Sequence, residues 1–131
     1  MNPKLKRGIE EIAEQCAAPG WDGYGASAVA PETAAQARAF ADAIPSHLPA
    51  PEIGVEPDGA ITFEWYRTPR QMLSVSVDSS GALHYAALIG TDAIAGTETF
   101  HGTMPRKLID LIARLEEMGG HGFVAERQDI W

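Results

Sequence analysis

The chain has 131 residues, of which 45% are hydrophobic and 21% are charged, a composition typical of one globular domain. Its net charge of -8 argues against unaided binding to DNA or RNA, because such binding requires lysine and arginine at the phosphates. No apolar run approaches the ~18 residues of a membrane span, and no apolar block follows the basic N-terminal residues. We therefore expect a soluble, cytoplasmic protein that binds neither nucleic acid nor membrane.

Two helices are predicted in residues 1–45. The first should run from Pro3 to about Ala17, with Asn2 as its cap and proline at the first helical position, where a missing N–H costs nothing. Its apolar residues recur at helical spacing: Leu5, Ile9, Ile12 and Cys16. The second should run from Pro31 to about Ile44, because its high alanine content favours a helix. Three prolines then predict an extended crossing: Pro45, Pro49 and Pro51.

Residues 53–102 predict an antiparallel sheet of four to five strands, because apolar residues alternate with polar ones from Ile53 onward. Turns are expected at Pro57-Asp58-Gly59 and at Ser79-Ser80-Gly81, and a weaker last strand over Gly96 to Gly102. The face that should carry the core comprises Ile61, Phe63, Trp65, Leu73, Val75, Val77, Leu83 and Tyr85. The opposite face should show Thr62, Glu64, Tyr66, Ser74, Ser76, His84 and Leu88.

A closing helix over residues 105–118 follows the sheet. Gly119-Gly120 should end it, leaving a tail over residues 119–131. Helices segregated from a run of strands indicate the α+β class. We predict a single domain over residues 1–131, an antiparallel meander with two N-terminal helices and one C-terminal helix packed on one face.

The segment "GWDGYGA" at residues 20–26 allows two interpretations. In the first, Trp21 fills the space between the helices and the sheet, and Asp22 accepts hydrogen bonds from backbone N–H groups a few residues on. In the second, Trp21 and Tyr24 form an aromatic anchor for a partner, because interface hot spots favour these residues. The first interpretation accounts for more of the composition.

No catalytic, cofactor-binding or metal-binding motif is evident in the sequence. Cys16 is the single cysteine, so an internal disulfide and a multi-cysteine metal site are excluded. Glu64, His84 and His101 could form a two-histidine, one-carboxylate set if neighbouring strands bring them together. A small metal-dependent or hydrolytic enzyme using this face is therefore an alternative, whereas our leading expectation is a non-enzyme without a cofactor.

The negative charge is concentrated in residues 20–64, which contain seven acidic residues against Arg38 alone and so carry -6 of the total -8. This imbalance fits a basic protein partner or a role in solubility. The candidate partner-binding residues are Trp21, Asp22, Tyr24, Glu52, Glu56, Asp58, Glu64, Tyr66, His84, Leu88 and Trp131. A homodimer built through the open face or a strand edge is a further alternative.

Four segments together resemble a family of small uncharacterised bacterial proteins: "GWDGYGA", "APETAAQARAF", "PEIGVEPDGAITFEWY" and "LSVSVDSSGALHYAALIG". The resemblance covers about residues 20–100 and includes a WDGYGA-type loop and a DG-turn strand that ends in EW. It implies a setting in mobile or variable regions of bacterial genomes, without a catalytic residue to transfer. Small size, acidic balance, the lack of a catalytic signature, an open sheet face and this setting together lead us to expect a non-enzymatic protein that acts on another protein, as an antitoxin-like neutraliser or an inhibitor of a host defence complex.

Overall fold

The fold was examined in a computed structural model that describes residues 2–121, with side chains described over residues 2–116. Two helices open the chain, α1 over Pro3–Gln15 and α2 over Pro31–Ala43. The Asn2 side chain caps α1, because its Oδ1 accepts hydrogen bonds from the N–H groups of Lys4 and Leu5. Both predicted helices are confirmed, each ending within two residues of its expected end.

Five strands follow and form one antiparallel sheet in the order β1-β2-β3-β4-β5, which confirms the predicted meander and the α+β class. Their bounds are β1 Glu52–Val55, β2 Ile61–Thr68, β3 Gln71–Val77, β4 Ala82–Ile89 and β5 Asp92–Thr99. The last strand begins four residues earlier than the Gly96 expected from the sequence. Asp92 and small residues open it, so its first half has no strong apolar alternation to reveal it.

The turn between β1 and β2 connects the sheet to the loop before α2. The Ser27 N–H donates to the Pro57 carbonyl at 2.7 Å. Gly59 has a φ of +91°, and a Cβ atom at this position would lie 2.6 Å from the Ala28 carbonyl oxygen. Glycine is therefore required both for the turn and for the close approach of the two backbones.

The core lies between the sheet and the three helices. All eight sheet residues predicted to face the core are buried, as are the apolar residues of α1, α2 and α3 that face them. Phe40 of α2 packs edge-on against Phe63 of β2, with ring centroids 4.9 Å apart. The Trp65 indole N–H donates to the Pro49 carbonyl at 2.8 Å, which fastens the proline-rich crossing to the sheet.

The closing helix α3 spans Arg106–His121 and packs over β2, β3 and β4. Its predicted end at Gly119-Gly120 is wrong, because the helix continues through both glycines to His121. Glycine lowers helix propensity by about 1 kcal/mol relative to alanine but does not forbid the helical backbone. Residues 122–131, which form most of the predicted tail and include Trp131, lie outside the described residues.

Candidate functional site

The sheet has an open face, opposite the helices, that comprises the outward positions of β1 to β5. Strand register places these positions in rows across the sheet. One row is Tyr66, Met72, Leu88 and Ala93; the next is Glu52, Glu64, Ser74, Ala86 and Ala95; the third is Gly54, Thr62, Ser76, His84 and Thr97. The outward residues predicted from the sequence all lie on this face.

The basic residues are absent from one side of the described molecule, whereas acidic residues lie on both sides. Four carboxylates lie on or at the rim of the open face: Glu52, Glu56, Glu64 and Asp78. None of the lysine and arginine residues that the structure describes occupies an outward position of the sheet. Most of them lie on the helices, and Arg70 lies at the β2–β3 turn. Arg67 is in β2, and its guanidinium lies 3.8 Å from Glu116 of α3. The open face is therefore acidic, whereas the helical side carries basic and acidic residues together.

An apolar corner occupies one end of the open face. Tyr66 is 55% exposed and Leu88 is 40% exposed, and both are among the few large hydrophobic residues exposed in the described chain. Met72 lies between them, because it is directly opposite Tyr66 on one side and Leu88 on the other. Tyr66 and Leu88 were identified as candidates from the sequence. Met72 was not, because it lies beside the Thr68-Pro69-Arg70 break, where no strand was expected.

A polar network occupies the other end of the face. The Ser76 hydroxyl donates to Glu56 at 2.7 Å. His84 lies directly opposite Ser76, with its Nε2 atom 3.5 Å from Asp78 and its Nδ1 atom 3.3 Å from the Thr97 hydroxyl. A hydrogen bond from the Ser80 hydroxyl is the main cause that holds the pKa of Asp78 below its usual range, although partial burial opposes it. These contacts hold the His84 ring on the surface of the sheet.

The structure does not bring Glu64, His84 and His101 together as a metal site. Glu64 is opposite Ser74, which in turn is opposite Ala86, so Glu64 and His84 are two strands apart and in different rows. His101 follows β5 and lies beyond the sheet. Within residues 2–116, no three residues of the histidine, cysteine, aspartate and glutamate types are placed to hold a metal ion. The juxtaposition that the metal-site alternative requires is therefore not found among the described residues, because antiparallel register separates Glu64 from His84.

The "GWDGYGA" loop forms a corner that presents one side chain to solvent. The Trp21 indole N–H donates to the Ser27 carbonyl at 2.7 Å, and the ring packs against the core. Asp22 Oδ1 accepts hydrogen bonds from the N–H groups of Tyr24 at 2.8 Å and Ala26 at 3.1 Å. These contacts agree with the first interpretation of the loop, in which Trp21 packs against the core and Asp22 accepts hydrogen bonds from the backbone. Tyr24, in contrast, is 92% exposed at the tip of the loop.

The remaining candidate residues take different positions. Asp58 lies in the β1–β2 turn, where its carboxylate accepts a hydrogen bond from the Ala60 N–H at 2.9 Å, so it has a structural contact there. Cys16 is buried, and burial raises the pKa of its thiol. Trp131 lies outside the described residues. Asp78, missed in the sequence, could have been found from its place before the Ser79-Ser80-Gly81 turn, where aspartate commonly binds the backbone.

A cleft of about 330 Å³ lies between α1 and β1 and shares Glu52 with the rim of the open face. Its charged residues are of both signs: Lys4, Arg7, Glu11 and Glu52. Leu5, Gly8 and Ile53 contribute its apolar wall. A cleft of mixed charge does not select one ligand class, so the open face is the stronger candidate.

Comparison with known proteins gave no match: no family model, no curated protein and no solved structure is significantly similar to this chain. Among the helices of residues 2–121, none is both long enough and apolar enough to cross a bilayer.

Proposed function

We propose that this chain is a non-enzymatic protein-binding module whose open face engages a basic protein. The observation that carries this proposal is a face of one charge sign: the open face bears Glu52, Glu56, Glu64 and Asp78, and no described lysine or arginine occupies one of its outward positions. A face of one sign attracts a partner of the opposite sign and raises the rate of association.

The apolar corner supplies binding energy, to which the acidic residues contribute less. Charge steers encounter more than it stabilises a complex, whereas exposed aromatic and aliphatic residues supply binding energy when a partner covers them. Tyr66 and Leu88 are exposed side by side around Met72, next to the row that contains Glu52 and Glu64. A partner segment with basic residues beside an apolar one would match this arrangement.

The resemblance described above suggests a setting for this role. That setting is mobile or variable regions of bacterial genomes, and small size, acidic balance and the lack of a catalytic motif in the sequence fit a protein that acts on another protein. We propose that the chain neutralises such a protein by covering its basic surface, as an antitoxin-like protein or an inhibitor of a host defence complex. The open face itself is the contact surface in this role.

The test is native mass spectrometry of the tagged protein purified gently from its own host, followed by binding measurements on the protein that co-purifies. The Glu52→Lys/Glu64→Lys double variant should lower the association rate at low salt by on the order of tenfold, because it reverses two charges of the open face. The matched control is Glu11→Lys/Glu14→Lys, which makes the same charge change at exposed positions of α1.

Two results would contradict the proposal. The first is equal loss of binding in the open-face variant and the α1 control, because a general effect of net charge would then explain both. The second is a purified protein that turns over a substrate or holds a metal in fixed stoichiometry. A Tyr66→Ser/Leu88→Ser variant tests the apolar corner separately, and we expect it to accelerate dissociation rather than slow association.

A further inference from the structure

Strand β5 is an edge strand whose protection against pairing is limited to two carboxylates, Asp92 and Glu98. It pairs with β4 along all of Asp92–Thr99 without a bulge, and its sequence contains no proline, lysine or arginine. No helix has a Cα atom within 8 Å of a β5 Cα atom in the described part of the chain. The other edge, β1, has only four residues and packs against α1. Long, regular, uncovered edges are templates for the addition of another strand.

The backbone groups available for such pairing can be assigned from the ladder. The Phe100 N–H donates to the Gly81 carbonyl at 2.9 Å, in the same register that pairs β4 with β5. Bonded and non-bonded pairs alternate in an antiparallel ladder. Asp92, Ile94, Gly96 and Glu98 therefore direct their N–H and C=O groups toward β4. The residues that present theirs at the outer edge are Ala93, Ala95, Thr97 and Thr99.

A second copy of this chain is a poor occupant of that edge. Antiparallel self-pairing centred on Ala95 would place Asp92 opposite Glu98 of the other copy, twice, and like charges directly opposite are destabilising. Self-pairing centred on Gly96 would place Glu98 opposite Ile94, which offers the carboxylate neither a charge partner nor a hydrogen bond. The net charge of -8 adds repulsion between copies. Asp92 already lies 3.9 Å from the Arg114 guanidinium of α3, whereas the described residues place no basic group within 4 Å of Glu98. Lysine or arginine of an added strand is therefore favoured opposite Glu98.

We propose that β5 binds a basic strand of the target protein by strand addition, which extends the five-stranded sheet by one strand. Main-chain hydrogen bonds to Ala93, Ala95, Thr97 and Thr99 provide affinity, as in other cases of β-augmentation. The outward residues Ala93 and Ala95 are small and leave room for larger side chains of the added strand beside Leu88. This inference rests on the proposed function and specifies how the partner is held.

The test measures amide hydrogen exchange of the protein at low salt, with and without a synthetic peptide of alternating lysine and valine. A peptide of alternating glutamate and valine is the control. In the free protein, the outer-edge amides of Ala93, Ala95 and Thr97 should exchange fast, whereas those of Ile94, Gly96 and Glu98 should be protected. Addition of the lysine–valine peptide should slow the outer-edge amides by about tenfold or more, and the glutamate–valine peptide should not.

Ala95→Pro provides the matched substitution, because it removes an N–H that points away from β4 and leaves the β4–β5 hydrogen bonds in place. Ala95→Val adds comparable volume and keeps the N–H. The proline variant should retain its melting temperature within a few degrees and lose peptide protection, while the valine variant should keep it. If the proline variant does not fold, Glu98→Lys replaces it and should reverse the preference between the two peptides.

Three outcomes would overturn the inference. Outer-edge amides that are already slow in the free protein, at every concentration, would mean that the chain itself covers the edge. Amides that become slow as protein concentration rises would mean that a second copy does. No protection by the lysine–valine peptide would mean that the edge does not accept a basic strand. Retention of the co-purified partner by Ala95→Pro, with its loss in Glu52→Lys/Glu64→Lys, would reject the edge and leave the proposed function intact.

Discussion

Glu52 and Glu64 are directly opposite each other on β1 and β2, so two carboxylates occupy adjacent outward positions of the same face. Cβ atoms of directly opposed residues are about 4.5–5.5 Å apart, and like charges at this separation repel. Neither carboxylate has a basic partner among the described residues. We therefore expect the pair to lower the stability of the free protein, and a basic partner to relieve that repulsion.

The first prediction concerns this pair. Glu52→Lys replaces repulsion with attraction and should raise the free energy of unfolding by about 0.2–1 kcal/mol at low salt. Salt screens the interaction, so the gain should shrink as ionic strength rises. Urea unfolding at two salt concentrations measures it, with Glu14→Lys as the control for the same change in net charge. Equal stability of the two variants would show that the opposed carboxylates do not interact.

The same substitution should weaken binding of the basic partner. Stability and binding therefore move in opposite directions at Glu52, which is the signature of a functional position and not of a structural one. A purely structural role for this carboxylate predicts instead that stability falls when it is replaced. The two measurements on one variant thus separate the interpretations.

The second prediction concerns Tyr85 and Gly96, which are opposite each other on β4 and β5. The Tyr85 ring lies over the glycine on the core side, so that a Cβ atom at position 96 would lie 2.5 Å from the hydroxyl oxygen and 2.8 Å from Cζ. Gly96→Ala should therefore displace a buried ring and lower the free energy of unfolding by about 1–3 kcal/mol. Chemical denaturation of the single variant measures this loss.

A double variant provides the control for Gly96→Ala. Tyr85→Phe removes the hydroxyl that is closest to the added methyl group, so Gly96→Ala should cost less in the Tyr85→Phe background than in the natural one. If the two costs are equal, the loss arises from the backbone at position 96 and not from the ring above it.

Strong apolar alternation allowed β2, β3 and β4 to be predicted from the sequence, because the inward apolar residues of these strands are buried beneath the helices. β5 was recognised only in its second half, since an edge strand with little buried area needs few large residues. The open face was predicted as a set of positions. The sequence did not predict which of these positions are neighbours, because the separation of Glu64 from His84 depends on the register of three strands.

The third prediction is a pH dependence at Asp78. The Ser80 hydroxyl lowers the pKa of Asp78 from its ordinary value of 3.8 by donating to the carboxylate. A lowered pKa in the folded state stabilises the fold above the unfolded value, and this contribution is lost as pH falls through the folded value. Ser80→Ala should raise the pKa of Asp78, and the stability gap between wild type and variant should close below about pH 4.

Carboxyl NMR titration of Asp78 measures this shift directly. Ser79→Ala is the matched control, because Ser79 is the neighbouring serine and makes no hydrogen bond to Asp78 in the structure. An unchanged pKa of Asp78 in Ser80→Ala would contradict the assignment. A change of equal size in Ser79→Ala would show that the whole turn, and not the Ser80 hydroxyl, holds the carboxylate.

The fourth prediction separates the roles of neighbouring residues in the "GWDGYGA" loop. Asp22→Ala removes the acceptor for two backbone N–H groups, so the free energy of unfolding should fall by about 1–3 kcal/mol. Tyr24→Ala should change it by less than about 0.5 kcal/mol, because the side chain is 92% exposed. Thermal or urea unfolding of the two variants tests both values.

Partner binding then decides what Tyr24 does. A tyrosine that a structured loop holds out in solvent loses little conformational freedom when a partner covers it, and tyrosine is enriched at interface hot spots. If the loop contributes to the interface, Tyr24→Ala should weaken the complex by more than about 1 kcal/mol at unchanged stability. If Tyr24→Ala binds as wild type does while Glu52→Lys/Glu64→Lys does not, the loop is a corner of the fold and the sheet alone binds the partner.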